Sequence, residues 1–215
     1  MFLRPLILAA IVGLFAANAS AAVLFSTLGQ SSDEVFPPIN STDVWVATDF
    51  TTGAQGVTIN SIRTALINND SISHSFEVAL YDSNLGEVGT LLTTFSSASL
   101  AASTAGTGNY VNFTHAGASL AANTTYWVVL KMLEAVSTDS PYWWLNYGDD
   151  TDAGSSFTTV AATAPKYTTD AGGGWNDYGS GNFRMEINGF TVVPEPSRAV
   201  LALAGLFGLC FRRRR

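Results

Sequence analysis

Between residues 23 and 192 the apolar residues recur every second position in short runs, and no run keeps a helical period of three to four. Phe76, Val78 and Leu80 alternate with Glu77, Ala79 and Tyr81, which reads as a half-buried strand closed by Asp82-Ser83-Asn84. Tyr126-Trp127-Val128-Val129-Leu130 is apolar on both parities. That suits a mid-sheet strand covered on both faces, or one with a local aromatic contact on its second face. Further strands are expected at Val44 to Phe50, Val57 to Ile67, Leu91 to Phe95, Tyr110 to Phe113, Tyr142 to Tyr147 and Phe183 to Val192. Within the second of these, Val57 and Ile59 share one parity while Ile62 and Leu66 take the other, so a β-bulge is expected between them.

Gly86 to Gly89, Gly106 to Gly108 and Gly172 to Gly174 lie between the runs and supply turns. Many short strands with Gly-rich turns and no intervening helices point to an all-β fold: a single β-sandwich, jelly-roll-like, with a closed barrel as the alternative. The stretches Ala98 to Ala105 and Ala116 to Ala122 are diluted by Ser and Thr and read as loops.

The two ends have a different character. After Arg4, the stretch from Pro5 to Ala17 is almost wholly apolar, and the overlapping triplets Ala17-Asn18-Ala19 and Ala19-Ser20-Ala21 follow. That order of charge, apolar run and small-residue site is a secretory signal peptide over residues 1–21, cleaved after Ala19 or Ala21; a buried N-terminal helix is the plainer alternative. At the other end, Pro194-Glu195-Pro196-Ser197-Arg198 precedes an apolar run from Ala199 to Phe211 and then Arg212, Arg213, Arg214 and Arg215. Thirteen apolar residues make a helix of roughly 20 Å, short against a hydrocarbon core of about 30 Å. The arginines would stay cytoplasmic, leaving the preceding domain across the inner membrane.

This tail, residues 193–215, resembles the PEP-CTERM sorting signal in its tripeptide, apolar helix and basic end, in that order. The resemblance implies a Gram-negative bacterium that makes exopolysaccharide. It also implies an exosortase as processing partner, transient membrane insertion through the C-terminal helix, and removal of the tail near Pro194, Glu195 and Pro196. An ordinary tail anchor preceded by a Pro-Glu-Pro turn is the alternative. Phe50-Thr51-Thr52-Gly53, Phe76 to Asp82, and Leu120 to Trp127 together resemble the choice-of-anchor R domain over roughly residues 44 to 147. That family implies a secreted β-domain and carries no catalytic residues to transfer.

Removing the ends leaves residues 22–192 as one domain, long enough to bury a core. The chain's net charge of −7 conceals an asymmetry, because six of its ten bases lie in the ends. The domain keeps Arg63, Lys131, Lys166 and Arg184 against sixteen acids, about −12. Nucleic acid is therefore excluded as a partner, since its binding depends on Lys and Arg neutralising phosphates. The one cysteine, Cys210, lies in the tail, so the domain has no disulfide, no thiol nucleophile and no thiolate metal ligand.

No motif for catalysis is present. His74 and His115 lack metal-ligand spacing and read as solvated loop residues, and there is neither a G-x-S-x-G elbow nor a phosphate loop. Paired carboxylates for glycoside hydrolysis are the alternative that the sixteen acids leave open, since that chemistry needs only two. The expectation is a non-enzyme without a cofactor. Asp149, Asp150 and Asp152 look superficially like a calcium loop, but Ala161 stands where an EF-hand needs Glu, which leaves only an irregular site.

The aromatic cluster Tyr142, Trp143, Trp144 and Tyr147, followed by Trp175 and Tyr178 beside Asp177, offers two readings. Alternation puts at least one of Trp143 and Trp144 into the core, and packing accounts for the rest. Alternatively, Trp143, Trp144, Tyr147, Trp175 and Tyr178 form a carbohydrate site by stacking on sugar faces. The expected function is thus a structural or adhesive protein of the cell surface or extracellular matrix in exopolysaccharide or biofilm, with a carbohydrate-binding module as the alternative.

Overall fold

A computed structural model describes residues 21–28, 34, 35, 39, 41–69, 71–103, 108–134, 142–146, 157–160, 164–179 and 182–192. Residues 1–20 of the expected signal peptide, residues 193–215 of the expected sorting tail, Tyr147 and the acidic run at Asp149, Asp150 and Asp152 lie outside these residues. The described strands, in chain order, are β1 (Ala22–Ser26), β2 (Glu34–Val35), β3 (Trp45–Thr52), β4 (Val57–Ile67) and β5 (His74–Asn84). They continue as β6 (Glu87–Thr94), β7 (Ala98–Leu100), β8 (Gly108–Leu120), β9 (Thr125–Met132) and β10 (Tyr142–Asn146). Last come β11 (Phe157–Val160), β12 (Lys166–Thr168), β13 (Asn176–Asp177), β14 (Asn182–Phe183) and β15 (Met185–Thr191). No helix occurs among the described residues, and hence none long and apolar enough to cross a membrane.

The strands form two packed sheets. In the first, β4 is flanked by β8 along one side, while β15 and then β10 share the other. β1 pairs with β15 outside them. The second sheet has β9 between β3 and β5, as the doubly apolar run of β9 predicts. β12 and β11 share the far side of β3, and β7 and β6 share the far side of β5. The pairings among the described strands are antiparallel, and side-chain alternation turns one parity of each core strand toward the opposite sheet.

That parity is the predicted one. Phe76, Val78, Leu80, Val128 and Leu130 are all fully buried, in one cluster with Phe50, Phe113, Trp143 and Ile187. Burial of each such side chain stabilises the fold by about 1.5 to 3 kcal/mol. The bulge expected in β4 falls at Asn60: Ser61 faces Asn188 and Ile59 faces Gly189, with Asn60 left over. It lets Ile59 and Ile62 both point inward. Gly189 belongs to this bulge, because a Cβ there would stand 2.0 Å from the Thr58 carbonyl oxygen.

Several expectations need correction. Asp82-Ser83-Asn84 does not close a strand; β5 runs through it to a hairpin at Leu85 and Gly86. Ala98–Leu100 is β7 rather than loop, held by its ladder to β5, and β8 continues to Leu120 through much of the stretch read as loop. His74 and His115 lie on β5 and β8, not in loops. His74 is fully buried and His115 is half-buried.

The sandwich has two distinct poles. At one, Ala22 of β1 lies beside Gly189 and the Val192 N–H donates to the Gly56 carbonyl at 2.8 Å, so both ends of the domain emerge together near the β3–β4 turn. Trp45, at the start of β3, lies at the other pole, roughly 23 Å away by the rise of about 3.3 Å per residue.

Candidate functional site

The outward parity of the second sheet carries a second, smaller cluster. Trp127 and Val129 of β9 and Ala47 of β3 are fully buried there although they point away from the main core. They are covered by half-buried Trp45, Tyr81 and Trp175, and by Val88. Register brings them together: Trp45 faces Lys131, Ala47 faces Val129, and Trp127 faces Tyr81. Above this cluster a cleft of about 530 Å³ opens between β3, the β5–β6 hairpin and the segment after β12. Its lining includes Trp45, Tyr81, Glu87 and Trp175.

The turn after β12 forms one wall. Ala171 and Gly172 have φ of 56° and 92°, and the Gly173 N–H donates to the Asp170 carbonyl at 3.3 Å, closing a tight turn. The Asp170 carboxylate accepts from the Thr168 hydroxyl and, at 2.9 Å, from the Gly174 N–H. Those hydrogen bonds, the Thr168 one foremost, hold its carboxyl below the usual range. A Cβ on Gly172 would stand 2.9 Å from Trp45 Cζ3, so only glycine lets the turn lie against that indole.

Lys166 ties the other side together. Its side chain is 5 % exposed, and its Nζ donates to Asp177 Oδ1 at 2.7 Å and pairs with Glu87 Oε2 at 2.9 Å. It also stands 5.8 Å from the Trp127 ring centroid. Burial alone would lower its pKa, but the hydrogen bonds and charges of Asp177 and Glu87 outweigh this, and the net shift is upward. In the next row Lys131 pairs with Glu77 at 2.5 Å and stands 5.0 Å from the Trp45 ring centroid. Tyr81 between these rows has its phenol pKa raised, first by burial, with Lys131 opposing and Glu77 adding.

The predicted aromatic site is therefore divided. Trp175 lines the cleft. Trp143 does not: it is fully buried between the sheets, stacked on Phe183 at 4.3 Å, with its indole N–H donating to the Arg184 carbonyl at 3.1 Å. Its backbone pairs with Leu66 at the end of β4, which turns the ring inward. Tyr178 packs against the main core and meets Tyr167 edge-on at 6.2 Å. Trp144 lies on β10 opposite Val35. Trp45 and Tyr81 were not among the expected site residues, although the double apolar parity of β9 signals the covered second face on which Trp127 lies.

A second hollow, of about 600 Å³, borders Asp82, His115 and Tyr126. Its polar groups are already engaged. Asp82 accepts from the Thr90 N–H at 2.5 Å and hydroxyl at 2.6 Å, which lowers its pKa. His115 Nδ1 accepts from the Gly117 N–H at 2.9 Å, so Nε2 carries the proton toward the Thr93 hydroxyl at 3.0 Å. The Tyr126 hydroxyl accepts from the Ala121 N–H. The aromatic cleft is the better candidate. Among the described residues no group of three His, Cys, Asp or Glu is placed to hold a metal ion. No protein-family model matches the chain, and no curated protein matches it.

Proposed function

We propose that the chain is an exported, exosortase-processed protein of the cell surface or extracellular matrix, whose domain holds exopolysaccharide in a structural or adhesive role. In this reading a jelly-roll-like sandwich is flanked by a signal helix and a hydrophobic sorting helix, both removed on the way out. The observation that carries the polysaccharide part is the cleft walled by half-buried Trp45, Tyr81 and Trp175, since sugar rings offer apolar faces to such walls. The export part is supported by the two overlapping small-residue triplets and by Pro194-Glu195-Pro196 with its apolar run and arginines. Attached to the envelope through its processed C-terminal end, the protein would present Trp45 on the farther pole. We read the domain as a binder and not an enzyme. Glu87 and Asp177, the exposed carboxylates beside the cleft, are both held on one ammonium, that of Lys166.

The test of export is intact-mass measurement and fractionation of wild type and Glu195→Ala in a host that carries an exosortase. The wild type is expected to lose residues up to Ala19 or Ala21 and its tail, while the variant stays unprocessed in the membrane. Equal mass and equal fractionation for both would reject the sorting assignment.

A further inference from the structure

The charge of the cleft selects among polysaccharides. Both bases near it are already matched: Lys131 by Glu77, and Lys166 by Glu87 and Asp177 together. These five groups sum to −1, Asp170 adds another negative charge in the turn wall, and the domain around them carries about −12. We infer that the cleft takes an uncharged polysaccharide chain and rejects those built from uronic acids, an inference that rests on the polysaccharide reading above. A uronate entering here would need an unmatched base. To obtain one it would have to draw Lys166 away from two carboxylates that satisfy it at 2.7 and 2.9 Å. A neutral sugar makes no such demand. Its apolar face can lie on Trp175 or Tyr81, and its hydroxyls can donate to Glu87, which lines the cleft with its side chain 59 % exposed while still bonded to Lys166. Trp45 acts as a wall rather than a platform, because Gly172 lies against its ring and Lys131 stands over it.

The experiment is calorimetry on the protein purified from an exporting host, titrated with a soluble neutral glucan, a neutral mannan and alginate, at low and high salt. At least one neutral polymer is expected to bind, with alginate about tenfold weaker or worse at low salt and the gap narrowing as salt screens the carboxylates. Trp175→Ala should abolish neutral binding with the circular-dichroism spectrum unchanged. The double variant Glu87→Gln/Asp177→Asn frees Lys166 and should gain alginate binding. Should it fail to fold, Glu87→Gln alone should show a smaller gain. Alginate bound as tightly as the neutral polymers by the wild type would overturn the charge selection and leave the polysaccharide reading standing. Neutral binding that survives Trp175→Ala would overturn the cleft as its site. Absence of binding to every polymer would overturn the polysaccharide reading itself, and this inference with it.

Discussion

Leu85 occupies the first central position of the β5–β6 hairpin at φ 57°, followed by Gly86 at 87°, and it is 98 % exposed. Both central residues of such a turn need positive φ, which glycine adopts freely and asparagine tolerates, whereas leucine is strained by about 1 to 2 kcal/mol. Leu85 buries nothing in return. Replacing it by Asn is expected to raise stability by about 0.5 to 1 kcal/mol, read as a higher urea midpoint at unchanged slope. An unchanged or lower midpoint would show that the turn is not strained at this residue. The same scale explains the histidines: alternation assigns His74 the parity of Phe76 and Val78, yet the residue type suggested solvent. Position in the ladder prevailed over polarity.

At the scale of elements, strands whose alternation is internal were legible. The expected limits of β4 match those observed, and β5 and β9 were found with their inward faces correct. Strands made by their partners were not. Lys166-Tyr167-Thr168 is too short to carry a period, and it is a strand because β3 offers Ala47, Val46 and Trp45 to pair with. The cleft inherits this difficulty, since Trp45 and Tyr81 lie on two strands that meet only across β9, in a register no local pattern reveals. Trp175 stood out as an aromatic beside glycines, while its neighbours did not. The bulge at Asn60 also depends on pairing. Gly189→Ala would place a methyl group 2.0 Å from the Thr58 carbonyl oxygen, so β15 must shift away from β4. A loss of about 1 to 3 kcal/mol is expected in chemical denaturation. A change within about 0.5 kcal/mol, the usual range of a surface substitution, would mean the bulge yields without cost.

For the whole molecule, folding stability should follow pH through a few named groups. Asp82 and Asp170 have depressed pKa values in the fold, so their contribution is present above the unfolded value near 3.8 and is lost as pH falls through the folded values. Lys166 is shifted upward, so its contribution is present below 10.5 and lost as pH rises through the folded value. A plateau between about pH 5 and pH 10 is therefore expected from these groups. Asp170→Asn should be less stable than wild type by a constant margin on that plateau, and the margin should close as the solution is acidified below about pH 5. Urea midpoints of both proteins across this range check it, and a margin that persists undiminished to pH 2 would exclude the Asp170 carboxylate as its source. The two poles have a mechanical side as well. The chain leaves the domain from the end of β15, which lies between β1 and β4 and is laddered to both. With the protein tethered beyond Thr191 and a polymer gripped at the Trp45 pole, tension would run along the axis of β15. Antiparallel ladder bonds lie across that axis, so they would bear the load together in shear instead of parting one after another, and the tethered end would be slow to pull out.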